Sequence, residues 1–193
     1  FGVRILPEVD VPAHTLSWAR QFPELIVNCS SRHITSASDV PALDPSNEKT
    51  YWLVEQVLQE IQEIFPDDQL HLGCDELKFH CWTQVQTWMT RHHFEVKDAF
   101  GYFLRRVTSK LNKTVIVWQE ALEATRGLPK TGIVETWKCW AHQHERAAEE
   151  AMRRGLRVID ASCWYLDWAS SLRDFENKRL LPYWHGAEAA SWT

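Results

Sequence analysis

Apolar and polar positions along the chain alternate between two periods. Short, nearly continuous apolar runs occur at Val3-Arg4-Ile5-Leu6, Leu70-His71-Leu72-Gly73, Val115-Ile116-Val117-Trp118, Ile133-Val134-Glu135-Thr136-Trp137 and Arg157-Val158-Ile159-Asp160-Ala161. Such runs suit strands covered on both faces. Between them the period lengthens. Tyr51, Val54, Val57, Leu58, Ile61, Ile64 and Phe65 share one helical face, and Pro66-Asp67-Asp68 stops that helix. Amphipathic helices are predicted over 78–92 and 97–112, and another from His142 to Arg154 with Gly155 as its stop. A short helical stretch is expected at Leu16 to Phe22, an irregular loop over 28–47, and a last short strand near Gly186 to Ala190.

Strands that alternate with helices predict parallel β-α units. Six strands are counted, against eight in a closed barrel. The expected fold class is therefore α/β, an incomplete (β/α)8 TIM barrel with about six of its eight units, formed by residues 1–193 as one domain. The chain starts in mid-pattern at Phe1, with neither a signal peptide nor an initiator Met, and is expected to be part of a longer protein.

Candidate chemistry gathers at the strand ends. The second run closes on Asp75-Glu76, the third on Trp118-Gln119-Glu120, and the fourth on Trp137-Lys138. The first leads into Glu8-Val9-Asp10-Val11-Pro12-Ala13-His14, the fifth into Trp164-Tyr165-Leu166-Asp167, and the sixth into Ser191-Trp192. Neighbours on a strand point to opposite faces, so Asp75 and Glu76 can share one pocket only where the strand ends and the backbone turns. The carboxyl ends of parallel strands are where barrels of this kind keep their active sites.

Composition narrows the classes. A net charge of −5 gives no electrostatic reason to expect nucleic acid or anionic lipid, and no apolar run reaches membrane-spanning length. Tryptophan stands out, with 11 copies. Indoles at strand ends suit the C–H faces of a sugar ring, whereas Trp52 and Trp88, inside helical patterns, are assigned to the core. The five cysteines show no metal-binding spacing, and the odd count leaves at least one unpaired. Sequons at Asn28 and Asn112 would be glycosylated in a secretory compartment.

Six of these segments, in order, resemble the catalytic domain of family 20 glycoside hydrolases, the β-N-acetylhexosaminidases, and most closely their animal-type lysosomal or secreted members. They are Leu6-Pro7-Glu8-Val9-Asp10, Pro12 to Trp18, His71 to Glu76, Val117-Trp118-Gln119-Glu120, Trp164 to Asp167 and Gly186-Ala187-Glu188-Ala189. The resemblance implies removal of terminal non-reducing GlcNAc or GalNAc from glycoconjugates or chitin oligomers, with retention and without an enzyme nucleophile. The substrate's own 2-acetamido oxygen attacks the anomeric carbon. By position, Glu76 would be general acid and then base, and Asp75 would hold the acetamido N–H. Tyr165 would aim the acetamide oxygen, Asp167 would bind a sugar hydroxyl, and Trp118, Trp137 and Trp192 would wall the sugar. His14 and Asp10 would support the catalytic pair from behind. Cys29 and Cys81 would form a disulfide. No cofactor and no metal is implied, and a homodimer is left open for the full-length protein.

Some positions depart from the pattern. The family usually has Gly where Ala13, Cys74 and Ala187 stand, and Cys74 directly precedes Asp75. Two strands of the family barrel would lie before Phe1 and a further acidic sugar ligand beyond Thr193, so residues 1–193 alone are expected to be poorly soluble or inactive. Two other functions stay open: a catalytically silent carbohydrate-binding relative, and a metal-dependent hydrolase with His14, His71 and Asp75 as ligands.

Overall fold

The computed structural model describes residues 2–27, 41–124, 126–162 and 186–187, the last pair as backbone. Five parallel strands, β3 (Gln69–His71), β4 (Thr114–Trp118), β5 (Ile133–Thr136), β6 (Arg157–Asp160) and β7 (Gly186–Ala187), follow one another in sheet order as in sequence. The registers pair Leu70 with Val115, Val117 with Val134, Val134 with Val158 and Asp160 with Ala187. Because neighbouring strands are parallel, the carboxyl ends of β3 to β6 open on one rim.

The first strand is displaced from its expected place. Val3 and Ile5 are exposed, and pairing with β3 begins further on, where His71 N–H donates to Pro7 O and Val9 N–H donates to His71 O. A parallel bridge joins Glu8 to His71. This shift brings Glu8 and Asp10, rather than Val3 to Leu6, alongside the β3 end. The expected helix at Leu16 to Phe22 is reduced to one short 3-10 turn, Trp18–Arg20, and a second turn, Pro23–Leu25, follows it. The expected loop over 28–47 contains a strand: β2 (Ala42–Leu43) pairs antiparallel with β1 (Ile26–Val27).

Four α-helices are described: α1 (Glu48–Ile64), α2 (Gln86–Arg91), α3 (Val96–Thr108) and α4 (Gln143–Arg153). The Asn47 side chain caps α1 by accepting from Lys49 N–H at 3.0 Å, and Glu95 with Asp98 forms a capping box on α3. The helix α1 buries Tyr51, Val54 and Leu58, and α3 buries Phe100, Phe103, Leu104 and Val107. At about 1.5–3 kcal/mol per large side chain fully removed from water, these stripes dominate the stability of the helical layer. Trp82 joins the layers. It is fully buried, packs its ring 6.2 Å from both Phe100 and Phe103, and donates its indole N–H to Leu43 O at 3.1 Å. Trp88 packs partly buried against Phe94 and Tyr102, whereas Trp52 is exposed and not a core residue, because it lies off the Tyr51–Val54–Leu58 stripe.

Candidate active site

The turn after β3 builds the centre of the site. Strand pairing continues past β3 through Leu72 N–H to Ile116 O at 2.9 Å and Trp118 N–H to Gly73 O at 2.8 Å. Three residues then take left-handed conformations, Gly73 at φ +64°, Cys74 at +73° and Glu76 at +51°. These break the strand's alternation. Adjacent carboxylates can then face the same group, which a continuing strand would forbid.

That group is His14, from the loop after the first strand. Its Nε2 lies 3.4 Å from Glu76 Oε2, 3.6 Å from Asp75 Oδ2 and 4.0 Å from Asp10 Oδ2. The adjacent carboxylates, Asp75 first and then Asp10 and Glu76, push the imidazole up to about 9, with burial acting the other way. Burial pushes the Asp10 carboxyl up to about 8, reinforced by the charge of Asp75 and opposed by His14. Asp75 is buried, and among the described residues its Oδ1 has no hydrogen-bond partner. Glu76 is the more open of the pair, its side chain 40% exposed. A buried acceptor beside an accessible carboxyl can hold a donor of a bound molecule while its neighbour exchanges protons with it.

Cys74 stands where the resemblance implies a glycine. It takes a left-handed φ, its side chain is fully buried, and its thiol points to Leu72 O at 3.4 Å. Burial, with the nearby charges of Asp10 and Asp75, pushes the thiol well above its ordinary range. Ala13, by contrast, is buried and is not among the positive-φ residues.

Behind the pair sits His71. Its Nδ1 accepts from Gly73 N–H at 2.9 Å, and its ring packs 4.8 Å from the ring of Trp118. Glu8 Oε1 stands 3.3 Å from Nδ1 and Glu135 Oε2 stands 3.6 Å from Nε2. His71 therefore belongs to a buried polar layer under the site, and His14, His71 and Asp75 do not converge as a ligand set. Asp10, His14 and Asp75 do offer donor atoms within 4.8 Å of one another.

The tryptophans are held by carboxylates. Trp118 is buried and donates its indole N–H to Glu8 at 3.0 Å. Trp137 donates its own to Glu120 at 2.9 Å, and Glu120 is ion-paired with Lys138 at 2.7 Å. Burial raises the Glu120 carboxyl, with Lys138 and Trp137 pulling the other way. Gln119 Oε1 accepts from the backbone N–H groups of both Trp137 and Lys138, at 2.9 and 3.0 Å. The sequence alone assigns no role to Gln119 or Lys138. Their only signal was adjacency to Trp118 and Trp137 at strand ends.

Cys81 is disulfide-bonded, as is Cys139, which spacing did not single out. Asn112 is exposed at the end of the loop before β4. Asn28, Cys29, Tyr165, Asp167 and Trp192 lie outside the described residues.

Comparison with known proteins matches this architecture. The sequence profile described as "Glycosyl hydrolase family 20, catalytic domain" matches residues 1–192. The beta-hexosaminidase subunit beta of Homo sapiens is 36% identical over 182 residues, which is 90% of this chain and 32% of that protein. Subunit A2 of Dictyostelium discoideum beta-hexosaminidase is 34% identical over 174 residues, 86% of this chain and 30% of that protein. The chain thus spans about a third of the length of these relatives. Among solved structures, a family 20 exo-β-N-acetylglucosaminidase from Vibrio harveyi in complex with N-acetylglucosamine superposes with a TM-score of 0.79 at 24% identity, over 99% of this chain and 35% of that one. The chitobiase of Flavobacterium johnsoniae gives 0.74 at 27% identity, over 90% and 28%. The parallel sheet is accordingly part of a (β/α)8 barrel, and the chain belongs to glycosyl hydrolase family 20.

Proposed function

We propose that the protein is an exo-β-N-acetylhexosaminidase that acts by substrate assistance, with residues 1–193 supplying part of its catalytic barrel. The observation that carries this reading is the buried Oδ1 of Asp75, unpartnered among the described residues, beside the open carboxyl of Glu76, both carboxyls facing His14. A 2-acetamido group has one N–H to donate, and a buried carboxylate oxygen without a donor is matched to it. Holding that N–H orients the acetamido oxygen toward the anomeric carbon and stabilises the positive charge that develops on the group.

Glu76 donates a proton to the leaving oxygen as the acetamido oxygen attacks, then takes one from the water that opens the cyclic intermediate. His14 keeps the two carboxyls in register, with Asp10 behind it. Trp137, fixed by Glu120 and Gln119, forms one wall around the sugar, and Trp118 closes the floor. Tyr165, Asp167 and Trp192 are assigned by resemblance to the acetamide oxygen, a sugar hydroxyl and a further wall. The substrate class is a glycan ending in β-linked GlcNAc or GalNAc. Disulfide-bonded Cys81 and Cys139 favour a lysosomal or secreted protein, in which Asn28 and Asn112 would be glycosylated. No described helix is long and apolar enough to cross a membrane.

The left-handed Cys74 favours a second reading, a relative that binds sugar without turnover, because strain beside Asp75 displaces a group whose placement matters. One comparison separates the two. The intact protein should hydrolyse a chromogenic β-N-acetylglucosaminide and leave the matching glucoside, which lacks the acetamido group, essentially untouched. Sugar binding without turnover would establish the silent relative, and equal rates on both substrates would overturn substrate assistance.

A further inference from the structure

The loop leaving β5 carries an aromatic ring that the reaction above does not use. Trp140 is 48% exposed, and its ring stands edge-on to that of Trp137, with centroids 5.6 Å apart and planes at 84°. Burial does not account for this conformation, since none of Trp140, Ala141 and His142 is buried. The loop is nevertheless closely specified. On one side Gln119 holds the backbone of Trp137 and Lys138, Lys138 is ion-paired with Glu120, and Cys139 is disulfide-bonded. On the other, Ala141 and His142 take successive left-handed conformations, at φ 54° and 55°, which residues with a β-carbon avoid. A segment tied down on one flank, turned sharply on the other and contributing nothing to the core presents its indole outward.

We propose that Trp140 is a stacking platform for the leaving-group sugar of the substrate. This rests on the reading that Trp137 walls the terminal hexosamine. The exposed ring next to Trp137 then meets the next residue of the glycan. An indole face matches the apolar C–H face of a pyranose, and a rigid ring loses little freedom on contact. The preferred substrate is accordingly an N-acetylhexosamine β-linked to another sugar, rather than to an aglycone without a ring.

The test compares two substrates of the intact protein: a disaccharide with terminal β-GlcNAc, and the methyl β-glycoside of GlcNAc, whose leaving group has no ring. In Trp140→Ala the ratio of kcat/KM for the disaccharide to that for the methyl glycoside should fall about tenfold or more, chiefly through KM, the scale expected for removing an aromatic contact. Trp140→Phe should recover part of the ratio. An unchanged ratio overturns the proposal, whether or not both rates fall together. An unchanged ratio with an altered oligomeric mass would mark Trp140 as a subunit contact instead. If the wild-type protein turned over neither substrate, the underlying hexosaminidase reading would fail, and this one with it.

Discussion

A β-carbon added to Gly73 would stand 2.0 Å from Oδ1 of Asp10. That same oxygen accepts the backbone N–H of Cys74 at 3.2 Å, so Asp10 grips the turn through the space that glycine leaves open. The turn that aims Asp75 and Glu76 is therefore set from the neighbouring strand as well as by its own dihedrals.

Gly73→Ala combines a left-handed φ with this overlap. It should destabilise the intact protein by about 2–4 kcal/mol, the sum of backbone strain and a broken, partly buried hydrogen bond. Residual kcat should fall on the order of 100-fold through misplacement of the carboxyl pair. Thermal melts and steady-state kinetics would read both, and a variant matching wild type in both would refute the role given to Asp10 and Gly73.

Cys74 is buried, and its thiol is pushed well above its ordinary range by burial and by Asp10 and Asp75. The thiolate is the reactive species, so this cysteine should resist a thiol reagent in the native protein and react once the chain is unfolded. Mass mapping of the peptide containing Cys74 would show this. Rapid labelling under native conditions would mean that the turn after β3 opens.

Asp10 and His14 set a pH dependence of stability. Both bind protons more tightly folded than unfolded, Asp10 rising from 3.8 to about 8 and His14 from 6.5 to about 9. For a group with a raised value, the stabilisation is complete below the unfolded value and is lost as pH climbs through the folded one. The two windows overlap between 6.5 and about 8, so Tm should decline across that span as pH rises. The groups act as a coupled pair, so Asp10→Asn and His14→Asn should each flatten the decline. A Tm that climbed over this span would contradict the assigned shifts.

What hydropathy could reveal was local. The continuous runs of β3, β4, β5 and β6 announce strands because both faces of that sheet are covered. Val3 to Leu6 carries the same signature, yet the pairing lies at Pro7 to Val11, because backbone hydrogen bonds to His71 and Leu72 fix that register and leave no hydropathic trace. The two-residue strands β1 and β2 are too short to show a period. In the site, the adjacency of Asp75 and Glu76 at a strand end was legible. That His14 faces both came only through resemblance. The contacts of His71 with Gly73, Glu8, Glu135 and Trp118 join residues from four segments, and no single stretch of sequence encodes them.

The central claim is that Glu76 protonates the leaving oxygen while Asp75 holds the substrate's own nucleophile. Its most direct test is Glu76→Gln in the intact protein, measured on a β-linked GlcNAc disaccharide and on an aryl glycoside whose leaving group departs without a proton. The account predicts a loss of about 10²–10⁴-fold in kcat on the disaccharide and a much smaller loss on the activated aryl glycoside. An undiminished kcat on the disaccharide would contradict it.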